Sequence, residues 1–174
     1  MGIQFETDYN METLTAMAKS LRKTVRKKRS RRVHIFAAVV LILGLLTILA
    51  TTAGGEPLGA SGVVTLLAML VVILVSLFED KLNAWFARKR LLPGTEHAVA
   101  TFEEDGYVSA TGVTESRFSY AQIVAVAETA RYFVFALSSH HTQAYDKRTI
   151  RGGSVEDFRA FIAEKTGKPV EDIK

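Results

Sequence analysis

The sequence predicts an α+β membrane protein, in which a two-helix transmembrane hairpin carries a small antiparallel β-sheet domain closed by a C-terminal helix. Three observations predict this class. Two uncharged apolar runs, residues 35–53 and 59–78, hold nineteen and twenty residues, enough for helices of roughly 28–30 Å at 1.5 Å per residue, close to the hydrocarbon thickness of a bilayer. After Pro93-Gly94 the texture changes to short segments of apolar and β-branched residues divided by turn residues. A last amphipathic stretch follows a capping signal at Ser154.

From the N-terminus, residues 2–7 alternate apolar and polar and predict one short strand, with Ile3 and Phe5 on one side. That strand lies on the same side of the membrane as the C-terminal domain, so it is expected to extend an edge of the domain's sheet. From Asn10 the period becomes helical: Leu14, Met17, Leu21 and Val25 share a face, with Lys19, Arg22, Lys23 and Arg26 elsewhere. No Gly or Pro intervenes before Gly44, so this helix is expected to run straight into the first span, with residues 10–32 reaching roughly 35 Å from the membrane.

Gly54-Gly55-Glu56-Pro57-Leu58 ends the first span and starts the second as a tight hairpin. Charge sets its polarity. The loop carries one acid and no base, whereas residues 19–32 hold nine Lys and Arg and residues 81–90 hold four. Basic flanks stay in the cytoplasm, so both termini are expected there, in a cell membrane, with the loop outside. The apolar run begins only after some thirty basic-rich residues, which predicts an uncleaved anchor rather than a signal peptide. In the first span Ala37, Gly44 and Thr51 recur every seven residues, and Ala68 and Ser76 offer a weaker small-residue face on the second; hairpin packing or a homodimer seam would use them. His34 reads as a solvated flank residue. Leu82, Trp85 and Phe86 continue a helical face until Pro93-Gly94, giving a juxtamembrane helix that either pairs with the N-terminal helix as a stalk or lies at the headgroup level.

The region after Pro93-Gly94 predicts a meander of about six short strands, at residues 97–102, 107–111, 115–120, 123–127, 132–137 and 142–146. Ser154 with Asp157 three residues on marks a capping box; Phe158, Phe161 and Ile162 form the buried face of the helix, and Gly167 before Pro169 ends it. The domains expected are therefore 1–32, a strand and basic helix; 33–78, the hairpin; 79–94, the juxtamembrane helix; and 95–174, a cytoplasmic domain. The last holds nine basic and twelve acidic residues, net −3, although the whole chain is +4, so the positive excess belongs to the membrane flanks. Cysteine is absent, which removes disulfides and thiolate chemistry.

Four short stretches carry a resemblance: Phe102-Glu103-Glu104-Asp105-Gly106, Phe118-Ser119-Tyr120-Ala121-Gln122-Ile123, Ala144-Tyr145-Asp146-Lys147-Arg148-Thr149, and Phe158-Arg159-Ala160-Phe161. With this order of parts the chain resembles the YcxB-like family of small bacterial membrane proteins. The resemblance implies two spans and a C-terminal domain similar to a pleckstrin-homology fold, and it implies no activity.

No constellation reads as a reaction centre, so the sequence predicts no enzyme, no cofactor and no metal. Ser138-Ser139-His140-His141 near Asp146 has neither a nucleophile elbow nor a third metal ligand and predicts an exposed hairpin turn. Gly152-Gly153-Ser154 lacks the Lys of a phosphate loop and predicts a helix start. Lys147, Arg148 and Arg151 read as a solvated turn or, alternatively, a phosphate contact. The strongest polar signal is Arg26, Lys27, Lys28, Arg29, Arg31 and Arg32, which orient the chain and would also bind anionic lipid headgroups, at about 1 kcal/mol per base near the surface, or dock the chain's own acidic domain. Trp85, Arg88, Lys89 and Arg90 form the second predicted contact. Nucleic acid is not expected, because these bases abut the bilayer without interleaved aromatics. The function expected is binding or scaffolding, presenting the domain to a protein partner or to anionic lipid. The alternative is a subunit of an oligomeric transporter or channel, lined by Thr47, Thr51, Thr65 and Ser76.

Overall fold

A computed structural model describes residues 2–55 and 57–174; Glu56, in the expected hairpin loop, lies outside the described residues. The fold is the α+β class expected: two apolar helices, a small and mainly antiparallel sheet domain, and a C-terminal helix. The chain divides into two compact units, one of the residues up to Lys27 with Asn83–Lys174, the other of Lys28–Leu82.

The first unit starts at β1 (Ile3–Asp8), which pairs antiparallel along its whole length with β2 (His97–Phe102), Ile3 opposite Phe102 and Asp8 opposite His97. The expected sheet extension by the N-terminal arm is therefore present. Two hairpins add β3 (Tyr107–Thr111) and β4 (Glu115–Phe118), so the first sheet has the order β1-β2-β3-β4. The second sheet runs β7-β6-β5-β8, with β5 (Ala125–Glu128), β6 (Tyr132–Ala136) and β7 (Thr142–Asp146) antiparallel and β8 (Val170–Asp172) parallel to β5. The expected single meander is thus two sheets. Strand β4 also stops at Phe118, because Ser119 caps a short 3-10 turn at Tyr120–Gln122.

β1 joins the two sheets. Gln4 and Arg151 exchange two backbone hydrogen bonds of 2.9 Å. The Asp146 N–H donates to Thr7 Oγ1 (3.1 Å), and Thr149 Oγ1 accepts from the Glu6 N–H (3.0 Å) while donating to its carbonyl (2.7 Å). Gly152 permits this seam: at φ +83° its missing Cβ would sit 2.5 Å from the Gly2 carbonyl.

Between the sheets lies an aromatic core of Phe5, Phe102, Tyr107, Phe133, Phe135, Tyr145 and Phe158, with Phe5 and Phe158 edge to face at 4.6 Å. Helix α5 (Val155–Thr166) closes one end with Phe158 and Ile162, both fully buried, and half-buried Phe161 against Tyr120. Its start is the expected reciprocal capping box of Ser154 and Asp157, and Gly167 ends it at φ +62°.

Helix α1 (Met11–Lys23) is capped by Asn10, whose Oδ1 accepts from the Glu12 and Thr13 amides. It lies on the outer face of the second sheet, where Ala16 and Met17 pack on Tyr132, Val134, Ala144 and Ile173. That cover explains why all five residues of β6 are buried: both faces of the strand are occupied. The N-terminal helix is therefore not an extended arm continuous with the first span, as the lack of Gly and Pro suggested. Thr24 ends it, bonding to the Ser20 carbonyl through both N–H and Oγ1, and the Arg26 side chain is drawn to the Ser139 carbonyl (2.6 Å), a partner distant in sequence.

In the second unit, α2 (Lys27–Ala53) and α3 (Ala60–Leu77) are each long and apolar enough to cross a membrane, and neither apolar window is buried. Phe36 and Leu77 are 70% and 73% exposed, a pattern that water penalises and hydrocarbon does not. The helices meet through small residues: a Cβ on Gly44 would fall 2.8 Å from Met69 Sδ and 3.5 Å from Thr65 Cγ2. Ala37, Gly44 and Thr51 lie on the half-covered stripe of α2, and Ser76 lies on that of α3, together with Thr65 and Met69. Ala68 faces outward and takes no part in the stripe. Helix α4 (Glu79–Lys89) follows after a bend at Phe78, and it ends in a tightened turn, Arg90 N–H to Ala87 O and Leu91 N–H to Arg88 O, before Pro93.

Candidate functional site: the basic flanks

Lys27, Lys28, Arg29, Arg31 and Arg32 occupy the opening turns of α2 and are all exposed. A helix N-terminus carries partial positive charge and favours acids, yet this first turn contains none. Among the described residues none of the five forms an ion pair. Their placement adds repulsion to the helix, which an external anion would relieve. Arg26 differs from them: it is half-buried, and its Nε is spent on the Ser139 carbonyl. His34, two residues past the cluster, is exposed, with Nδ1 2.9 Å from the Ser30 carbonyl and Nε2 3.8 Å from Glu79.

Trp85, Arg88, Lys89 and Arg90 are exposed on and just after α4. The structure brings Lys89 and Trp85 together, Nζ 3.7 Å from the ring centroid, and Trp85 meets Phe86 edge to face at 4.9 Å. Arg88 and Lys89 sit in the last turn, where cations complement the helix dipole.

The basic groups of the 147–151 loop are engaged within the domain. Lys147 pairs with Glu128 (2.8 Å), Arg148 with Asp146 (2.9 Å) and Arg151 with Glu6 (3.0 Å). Asp146 also holds Arg131, which in turn reaches Glu12, and Glu128 also holds Arg159 (2.6 Å). Hydrogen bonding from Arg159, and then Lys147, keeps the Glu128 carboxyl below its usual range. Sequence reasoning missed both acid hubs. Their one legible sign was an acid at the end of an apolar strand.

Ser138–His141 forms the turn joining β6 and β7, closed by Leu137 and Ser138 N–H groups on the His141 carbonyl. Among the described residues no group of three His, Cys, Asp or Glu is placed to hold a metal ion. Residues 102–162 match the family model of the YcxB-like proteins. The YcxB-like segment begins at the last residue of β2 and ends within α5, so it takes in β3–β7, both acid hubs and the Phe158 core contact, and it stops short of β8. Searches of curated proteins and of solved structures gave no match.

Proposed function

We propose that this is a two-span membrane protein whose domain sits on the cytoplasmic side and acts by binding, without catalysis, with the bases of α2 holding anionic headgroups. The observation that carries the reading is the set of five exposed bases, Lys27, Lys28, Arg29, Arg31 and Arg32, without ion-pair partners among the described residues and placed at a helix N-terminus directly before an uncharged apolar run. Basic flanks on the cytoplasmic side support the orientation. The β1–β2 pairing supports a shared side for both termini, because the chain between these strands holds an even number of candidate spans. Trp85 and Lys89 fit a headgroup anchor at the other end of the hairpin. The sheet order followed by a closing helix is in keeping with a domain of pleckstrin-homology type.

The pore reading gains little support, since Thr47, Thr51 and Thr65 each turn their hydroxyl onto the carbonyl four residues back, at 2.9 Å. The test is reconstitution of the full chain with spin-labelled phosphatidylglycerol or phosphatidylcholine. The wild type is expected to immobilise the anionic lipid preferentially, and a variant with Gln at all five positions to lose that preference. Equal immobilisation of both lipids by the wild type would refute headgroup binding.

A further inference from the structure

The sheet domain contains a cleft of about 400 Å³ at the end of the core away from α5. Leu14 and Met17 of α1, with Ala87 of α4 and Leu91 just after it, form an apolar side. The other side is polar: Ser109 of β3 and Ser116 of β4, which face each other across the strands, Gln143 of β7, and the His140 and His141 imidazoles of the turn before β7. Among the described residues no Lys, Arg, Asp or Glu lines it. The size falls in the range of small-molecule sites.

Gln143 is 7% exposed. Its Oε1 accepts from two tyrosine hydroxyls, Tyr107 at 2.7 Å and Tyr145 at 2.8 Å. Burial pushes both phenols up, so they remain donors and need that oxygen. The amide is thereby oriented with Nε2 turned away from the tyrosines. Among the described residues Nε2 donates to nothing, although a buried amide normally finds a partner. It is also not sealed off, since among the described residues Ser20 Oγ is the buried side-chain atom without a partner. The donor therefore opens into the cleft, and the Ser109 and Ser116 hydroxyls, likewise without partners among the described residues, lie on the same polar side.

We infer that this cleft binds a neutral amphiphile, a molecule with one uncharged oxygen-bearing head and one apolar chain. The head accepts a hydrogen bond from Gln143 Nε2 and meets Ser109 and Ser116, and the chain lies along Leu14, Met17 and Leu91. A charged head is disfavoured because no Lys, Arg, Asp or Glu lines the wall to offset its desolvation. The inference is independent of headgroup binding by the α2 bases.

The test uses the full chain in phosphatidylcholine nanodiscs with a photoactivatable analogue of monolaurin, reading the crosslinked peptides by mass spectrometry. Labelling is expected within residues lining the cleft. Unlabelled monolaurin should displace the probe, laurate should be at least about tenfold weaker, and glycerol inert. Gln143→Leu is expected to weaken binding roughly five- to tenfold, the size of one hydrogen bond. Ser116→Trp, at an exposed edge position, should abolish labelling without lowering the melting temperature, and it serves as the test should Gln143→Leu fail to fold. Labelling confined to α2 and α3, equal competition by laurate, or labelling untouched by Ser116→Trp would overturn the inference.

Discussion

Phe5 comes from the N-terminal arm, yet its ring touches Phe102, Phe133, Tyr145 and Phe158, drawn from both sheets and α5. Its place on the inner face was legible from the alternation of residues 2–7, since side chains two apart share a face of a strand. The capping pair Ser154 and Asp157 was legible for the same reason: the chemistry is local. Glu128 was not, because its partners Lys147 and Arg159 lie nineteen and thirty-one residues away. It yields a pH prediction. The carboxyl side chain is 12% exposed, and its folded pKa lies below the ordinary 4.5. The unfolded chain therefore takes up more protons in that window, so the stabilisation is fully present above pH 4.5 and is lost as pH falls through the folded value. Glu128→Gln is expected to lower stability near neutral pH by about 1–3 kcal/mol and to flatten the acid limb of the melting profile. An unchanged acid limb would remove Glu128 from the account.

At the scale of elements, helices and strands driven by local periodicity were readable, and those set by distant contacts were not. Strands at residues 97–102, 107–111 and 142–146 fall where alternation places them. Strand β8 has three residues, too few for a pattern, and exists because Val170 and Glu171 reach β5. The break after Lys23 carries no Gly or Pro; Arg26 is held by Ser139, and Leu14 and Leu21 are buried with the sheet domain. The pairing of β1 with β2 spans about ninety residues and can be tested directly. Gln4 and Thr101 are opposite one another, and Gln4 turns its backbone bonds toward Arg151, which leaves a non-hydrogen-bonded pair with β2. Such pairs bring Cα atoms to about 4.5 Å, within disulfide range. In a chain with no native cysteine, Gln4→Cys with Thr101→Cys is expected to oxidise to one intramolecular species, seen as a mobility shift reversed by reductant. Shifting the second cysteine to Val99 should abolish it.

For the whole molecule the same pairing has a topological consequence. A domain assembled from chain before and after the two apolar helices folds when both pieces share a compartment, so under the two-span proposal the arm, the sheets and α5 are expected on one face of the membrane and the turn after Ala53 on the other. The apolar helices themselves were evident from two unbroken uncharged runs, because hydrocarbon demands length and composition alone. The assembly of the domain around them was not, since it depends on contacts across the insertion. The measurement that bears most directly on this account is labelling of single-cysteine variants with a membrane-impermeant maleimide on intact cells and after lysis. Gly54→Cys is expected to react on intact cells, and Gly2→Cys and Lys168→Cys only after lysis. Labelling of Gly2→Cys and Lys168→Cys on opposite sides, or of Gly54→Cys on the side shared by both, would contradict it.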